Sequence, residues 1–230
     1  MCVCGKRRAA RLPTRSRTLL TVNEVFFSIQ GEGTRAGLPC AFVRLTGCPL
    51  RCVYCDTAYA FYEGSRREED DVVAEIERFP CRLVLLTGGE PLSQPAAFPF
   101  VTTLLDRGWR VLVETSGHVP LDGLDARAVA IVDVKTPRSG ESARMHWANL
   151  DRLRPQDEVK FVIADREDYE WSRALLRERA WTEGRTVLFS PVHDVLAPGE
   201  LARWILEDGL PARVQVQLHK YLWPGAERGI

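Results

Sequence analysis

From residue 22 onward the sequence alternates short apolar segments with segments of helical spacing, and this alternation narrows the fold more than any other feature. Residues 22–29 and 41–46 are rich in Val and Phe and read as strands. Residues 68–78 carry Val72, Val73 and Ile76 at helical spacing, and Pro80 stops that helix. A strand over 82–86 runs into Thr87-Gly88-Gly89, residues 97–106 read as a helix, and 110–114 return as a strand. Further strands are expected at 130–134, 159–163, 187–189 and 214–218, with helices near 167–180 and 200–207 between the later ones. Strands that alternate with helices predict an α/β fold with a mostly parallel sheet and right-handed crossovers. The run Leu83-Val84-Leu85-Leu86 fits a strand covered on both faces. A complete eight-unit barrel needs more than these 230 residues usually supply, so a partial, open (β/α) barrel is expected.

Sheets of this kind carry function at the carboxyl ends of their strands. Five distinctive polar groups fall there: a cysteine loop after 41–46, Gly88-Gly89-Glu90-Pro91, Glu114-Thr115-Ser116-Gly117, Asp133-Val134-Lys135, and Ser190-Pro191. The cysteine loop is the most informative. Cys48, Cys52 and Cys55 stand at three-then-two spacing in Gly47-Cys48-Pro49-Leu50-Arg51-Cys52-Val53-Tyr54-Cys55-Asp56, with no fourth member. A structural zinc site wants four ligands, and a cubane iron–sulfur cluster usually takes four thiolates. Three thiolates leave one iron open to a small molecule. Taken alone, the run also fits chance clustering among seven cysteines, or a zinc knuckle finished by Cys40 or a distant histidine. An odd cysteine count and no visible secretory segment argue against a disulfide framework.

Composition removes some classes of function. Acidic and basic residues balance at 31 each, so net charge offers nothing to nucleic acid or membrane. No apolar run reaches membrane-spanning length. Reduced cysteines and no export signal lead to a cytoplasmic expectation. Residues 1–21 are set apart as a flexible basic tail carrying Lys6, Arg7, Arg8, Arg11, Arg15 and Arg17, with Cys2 and Cys4 as incidental thiols. Residues 22–230 are expected to form one domain.

The cysteine loop after an early strand, followed by Gly88-Gly89-Glu90-Pro91 after the next, resembles the radical S-adenosylmethionine (SAM) superfamily. Ser28-Ile29-Gln30-Gly31-Glu32-Gly33, Phe42-Val43-Arg44-Leu45, Asp56-Thr57, Glu114-Thr115-Ser116-Gly117, Asp133-Val134-Lys135-Thr136-Pro137 and Gln217-Leu218-His219-Lys220-Tyr221 narrow it further. Together they resemble the 7-carboxy-7-deazaguanine synthase family of queuosine and deazapurine biosynthesis. That resemblance implies ring contraction of 6-carboxy-5,6,7,8-tetrahydropterin with loss of ammonia. It also implies a [4Fe–4S] cluster, SAM that is regenerated in the cycle, Mg²⁺, a flavodoxin or ferredoxin as electron donor, and a homodimer.

The same resemblance assigns roles to particular residues. Cys48, Cys52 and Cys55 become cluster ligands, and Thr57 the Mg²⁺ ligand. Ile29, Gln30, Gly31, Glu32, Arg44, Thr87 and His219 contact substrate. Tyr54, Asp56, Gly88, Gly89, Glu90, Ser116, Lys135, Ser190 and Pro191 line the SAM region, with Glu90 accepting from the SAM amino group. An Arg suits a substrate carboxylate through two parallel hydrogen bonds, and a side-chain amide with a carboxylate can read a pterin edge. Some family members end soon after the His-Lys-Tyr segment and use the terminal carboxylate on substrate. Here the chain continues from Pro224 to Ile230, which leaves two alternatives: a different chain end fills that role, or none does. Two competing readings are an activating enzyme that places a glycyl radical on a partner protein, and a zinc-binding interaction protein without catalysis.

Overall fold

The computed structural model describes residues 18–179 and 184–230. The basic residues and the two cysteines of the N-terminal segment lie outside the described residues, as does the last residue of the helix expected over 167–180. Among the described residues one sheet of nine strands runs in the order β3-β1-β2-β4-β5-β6-β7-β8-β9. β1 (Leu19–Ile29) pairs antiparallel with β2 (Pro39–Leu45) and with β3 (Ser65–Glu68). From β2 the sheet is parallel through β4 (Leu83–Gly88), β5 (Arg110–Thr115), β6 (Val129–Val134), β7 (Glu158–Ile163), β8 (Thr186–Pro191) and β9 (Arg213–Val214). β3 and β9 are the two edges, so the expected open α/β sheet is what forms.

Two of the boundaries that differ from the sequence reading matter here. β1 begins at Leu19, and Leu19–Thr21, which were set apart with the tail, pair with Arg66–Glu68. The strand expected at 214–218 stops at Val214. The Leu218 amide donates to the Gly31 carbonyl at 3.0 Å and pulls the chain across the end of the sheet, where α6 (Leu218–Leu222) forms instead.

Each strand puts alternate residues on opposite faces, and that alternation sorts core from site. One face packs against helices. α1 (Glu69–Ile76) and α2 (Ala97–Asp106) bury Val72, Val73, Ile76, Phe100, Val101 and Leu104 against Val43, Leu45, Val84, Leu86, Val111 and Val113. α1 opens with Glu69, Asp70 and Asp71, which favour the positive end of its dipole. α3 (Ala148–Asp151), α4 (Arg166–Glu178) and α5 (Pro198–Asp208) cover β6–β8 with Leu150, Tyr169, Leu176, Leu201 and Trp204. Asp165 caps α4 by accepting from the Asp168 amide at 3.0 Å. α5 starts on Pro198 and ends at Gly209, whose φ of 55° suits glycine. Each fully buried side chain such as Phe100 contributes about 1.5–3 kcal/mol of transfer free energy.

The opposite face is apolar only in its first half, where Cys40, Phe42, Leu83, Leu85, Leu112 and Ile131 form a small cluster. One step of two further along the same strands come Arg44, Thr87, Glu114 and Asp133. The register pairs Arg44 with Thr87 and Asp133 with Lys160. The sheet therefore lays a charged and polar field beside an apolar floor. No helix among the described residues is long and apolar enough to cross a membrane.

Candidate active site

That polar field lines a cavity of about 370 Å³, a size suited to small ligands. One wall is the cysteine loop. Cys48, Cys52 and Cys55 are free thiols, half-buried and all at the cavity lining. Burial pushes all three thiols up, Cys52 to about 11, with Lys135 opposing the rise. Among the described residues no three His, Cys, Asp or Glu side chains converge to hold a single metal ion, so the zinc knuckle is not assembled. Cys40, its suggested fourth ligand, is fully buried in the apolar floor. A cluster asks something else of three thiolates, since each binds a different iron. All three thiols are free and line the same cavity, as such a cluster would require.

The loop is held from two sides. Glu90 and Gly89 donate their amides to the Gly47 and Leu45 carbonyls at 2.8 and 3.1 Å. A Cβ at Gly89 would stand 2.8 Å from the Cys48 Cβ and 2.6 Å from the Gly47 carbonyl carbon, so this turn can lie on the loop only as glycine. Gly88, with φ of 147°, would likewise drive a Cβ into the Leu45 backbone. On the far side the Val53 amide donates to the Ser139 carbonyl at 3.1 Å, and the Tyr54 hydroxyl lies 3.1 Å from Thr136 Oγ1.

Across the cavity stands a network of charge. Lys160 Nζ donates to Glu32 Oε2 at 2.9 Å, pairs closely with Glu114, and lies 3.7 Å from Asp133. Asp133 Oδ2 also accepts from Lys135 Nζ at 2.9 Å. Burial works against the charge on Lys160, but the Glu114 and Glu32 carboxylates outweigh it and hold the ammonium protonated well above the ordinary lysine range. Burial likewise opposes charge on Asp133, and Lys135 and Lys160 still keep it ionised. Glu32 accepts further hydrogen bonds from Gln215 Nε2 at 2.9 Å and Gln217 Nε2 at 3.1 Å. Two buried polar atoms at this lining have no protein partner among the described residues: Gln30 Nε2 and Asp133 Oδ1. Unpaired groups of this kind carry a penalty that a bound ligand relieves.

At the mouth, Arg44 Nε donates to Glu24 Oε1 at 2.7 Å, and its guanidinium lies 5.8 Å from the Tyr59 ring centroid. His219 packs against Gly31, whose missing Cβ makes room for the imidazole. Burial pulls His219 down, so the ring is neutral at pH 7. The Thr57 hydroxyl donates to Asp56 Oδ1 at 2.8 Å, which leaves its oxygen lone pairs to accept or ligate. Hydrogen bonds from Thr57 and Gln217 keep the Asp56 carboxyl below its usual range despite burial.

Most of the residues named from sequence therefore meet at one place. The lining takes in Gln30, Glu32, Arg44, the three cysteines, Tyr54, Asp56, Thr57, Thr87, Gly88, Gly89, Ser116, Lys135 and His219. Five do not line it. Ile29 sits in β1, and Gly31 serves as the seat of His219. Ser190 and Pro191 are buried in β8, while the next two residues, Val192 and His193, reach the cavity. Glu90 is fully buried. Its carboxylate accepts from the Leu92 amide at 3.0 Å, the Ser116 amide at 2.7 Å, Ser116 Oγ at 2.7 Å and Thr115 Oγ1 at 2.9 Å. Those bonds tie the glycine turn to the end of β5.

Sequence reasoning left out Lys160 and Tyr59, and gave no role to Glu114, Asp133, Gln217, Lys220, Glu227 or Ile230. The signal for Lys160 was present as a lysine inside an apolar strand. Nothing local marks Glu227 and Ile230. Arg228 pairs with Glu63 at 2.8 Å and lies 4.2 Å from the Tyr59 ring centroid, and this returns the chain end to the cavity.

A three-thiol loop beside a glycine turn on an open parallel sheet defines a radical SAM protein, and the family model described as the radical SAM superfamily matches residues 42–134. The chain is 42% identical over 226 residues to a 7-carboxy-7-deazaguanine synthase from Koribacter versatilis, covering 92% of this chain and 100% of that protein. It is 41% identical to one from Chlorobaculum tepidum, over 92% of this chain and 97% of that protein. The chain belongs to the 7-carboxy-7-deazaguanine synthase family. In fold it is similar to the crystal structure of QueE from Escherichia coli, with a TM-score of 0.74 at 24% identity, covering 87% of this chain and 95% of that one.

Proposed function

We propose that the chain converts 6-carboxy-5,6,7,8-tetrahydropterin to 7-carboxy-7-deazaguanine with loss of ammonia. Cys48, Cys52 and Cys55 would hold a [4Fe–4S] cluster, and Lys135, Tyr54, Asp56, Ser116 and the Gly88–Gly89 turn would hold SAM beside it. The observation that carries the reading is the division of one cavity into a thiol wall and a hydrogen-bonding wall that suits a carboxylated pterin. When bound and reduced, the cluster supplies the electron that releases an adenosyl radical from SAM.

The protein's own groups bind and orient. Arg44 spends Nε on Glu24 and keeps its Nη nitrogens for a substrate carboxylate. Gln30 offers a buried amide N–H with no partner among the described residues, and Glu32 and Thr87 add polar contacts to the heterocycle. Lys160 fixes Glu32 and Glu114 and cancels part of their charge. Neutral His219 has one ring nitrogen to donate and one to accept, so it can hold a substrate proton. Thr57 would ligate Mg²⁺, a cation that keeps waters and substrate oxygens as its other ligands. Phe42, Tyr59 and Phe61 keep part of the cavity lining apolar.

The proposal extends to a single catalytic domain, a homodimer, a cytoplasmic setting and a flavodoxin or ferredoxin as reductant. Anaerobically reconstituted, reduced protein is given SAM and the tetrahydropterin, and 7-carboxy-7-deazaguanine is sought by mass spectrometry. Product that is lost in Cys52→Ala supports the assignment. SAM cleavage without deazaguanine would remove the substrate and leave the superfamily.

A further inference from the structure

β1 changes phase once, beside the mouth of the cavity. Leu20, Val22 and Val25 all pack on the helix-covered side of the sheet, although strict alternation would put Val25 on the other face from Val22. The register accounts for this with one extra residue. Val22 pairs with Leu45 and Glu24 with Arg44, so Asn23 is a β-bulge. A bulge next to a site re-aims the side chains that follow it. Without it Glu24 would share the face of Leu20 and Val22; with it Glu24 shares the face of Phe26, which packs on the apolar floor. The bulged residue is itself anchored, since Asn23 Nδ2 donates to the Glu63 carbonyl at 2.8 Å.

Arg44 and Tyr59 line the cavity, and Glu24 stands behind them. Glu24 Oε1 accepts from Arg44 Nε at 2.7 Å and from the Tyr59 hydroxyl at 3.0 Å. The Arg44 guanidinium also lies 5.7 Å from the Phe26 ring centroid and 5.8 Å from that of Tyr59. The ion pair is mostly out of water, with the Arg44 side chain 14% and the Glu24 side chain 18% exposed. A guanidinium can grip a carboxylate along two kinds of edge, through Nε and one Nη or through both Nη nitrogens. Glu24 occupies Nε, which leaves the Nη pair.

We infer that Glu24 is a positioning residue that selects for a carboxylated pterin: it aims the Nη edge of Arg44 into the cavity, and the bulge at Asn23 puts it in place to do so. The inference rests on the assignment of Arg44 to the substrate carboxylate, and it adds what aims that cation. Glu24 then acts in two opposing ways. Its position aligns the fork for two parallel hydrogen bonds, which favours a carboxylate over an uncharged group. Its charge offsets that of Arg44 and weakens the hold on any anion, including the carboxylate that the product keeps.

The test separates position from charge. Cluster-loaded protein with SAM is titrated anaerobically with 6-carboxypterin and with pterin, which lacks the carboxylate. Neither has the saturated ring that the reaction consumes, so binding alone is read. The dissociation constant for pterin divided by that for 6-carboxypterin measures selection for the carboxylate. Glu24→Asp keeps the charge but withdraws it by one methylene, and this ratio should fall by about tenfold, the scale of one charge-assisted hydrogen bond. Glu24→Gln keeps an acceptor but removes the charge, and the ratio should hold at the wild-type value or rise. A merely structural role would weaken both ligands together and leave the ratio alone. A ratio unchanged in Glu24→Asp, or lowered as far in Glu24→Gln as in Glu24→Asp, overturns the inference. Glu24→Gln decides by itself if Glu24→Asp does not fold, because a tenfold fall in its ratio also overturns the inference. Arg44→Met tests the assignment beneath. If it keeps the wild-type ratio, the guanidinium does not read the carboxylate, and the inference falls with that assignment. A ratio that collapses in Arg44→Met but holds in Glu24→Asp removes the role of Glu24 alone.

Discussion

The two walls of the cavity are built by opposite means. The thiol wall draws all its ligands from residues 48–55, and backbone contacts hold it as one loop. The charged wall joins Glu32, Glu114, Asp133 and Lys160 from separate elements, and one of its ion pairs spans 128 positions of sequence. The thiol wall depends on spacing within a turn. The charged wall depends on the phase of the strands, since a shift by one residue would send Glu114, Asp133 or Lys160 to the helix-packed face. A local wall can be rebuilt by local contacts, whereas the non-local one stands only while the sheet keeps its register.

Four measurements sharpen or break that contrast. Cys52→Ala should abolish product and SAM cleavage and lower bound iron, while the thermal transition of the metal-free protein stays close to wild type. A large loss of metal-free stability would show that the loop is not an independent unit. Lys160→Met should do the reverse. It leaves Glu32 and Glu114 without their buried cation, a change that costs about 3–5 kcal/mol in chemical denaturation. Because burial beside those carboxylates raises the folded-state pKa of Lys160, its contribution is fully present below the ordinary lysine pKa and is lost only as pH rises through the folded value. The difference from wild type should therefore be flat across neutral pH and shrink in strong alkali. A difference that already narrows near neutrality would contradict the assigned charge.

Gly89→Ala should lower the rate by about a hundredfold, the usual scale for a misplacement of roughly 1 Å, because the new methyl meets the Cys48 Cβ. Its iron content and its rate, measured together, separate a displaced loop from a lost cluster. Arg228→Ala should have the smallest effect, a rise in KM for the substrate of a few-fold with kcat retained. An unchanged KM would mean that the returning chain end takes no part in binding.

The same contrast explains what could be read in the sequence. The strand series, the helix at Ala97–Asp106 and the thiol loop follow from residue order alone, because each is a local pattern. The glycine turn was legible for the same reason. Glu90 was assigned to the cofactor through the family resemblance; only the fold shows the bonds it accepts from Ser116 and Thr115 at the end of β5. Ser190 and Pro191 were chosen as a strand end, but β8 runs two residues further than expected and carries the lining on to Val192 and His193. Lys160 could have been found by counting in twos along β7 and asking what stands opposite Asp133, a question that needs the strand order first. The final strand failed because the Gly31 carbonyl and the Glu32 carboxylate, far away in sequence, compete for residues 214–218.

The ladder of Arg44, Glu114, Asp133 and Lys160 has one more consequence. A strand paired one residue out of place would press these charges into the layer of Val, Leu and Phe beneath α1, α2 and α4, at a cost no alternative contact repays. Misaligned sheets are thus rejected by the very groups that later hold the ligand. The catalytic field doubles as a proofreader of strand alignment, so a chain that settles into a stable sheet has already arranged its chemistry.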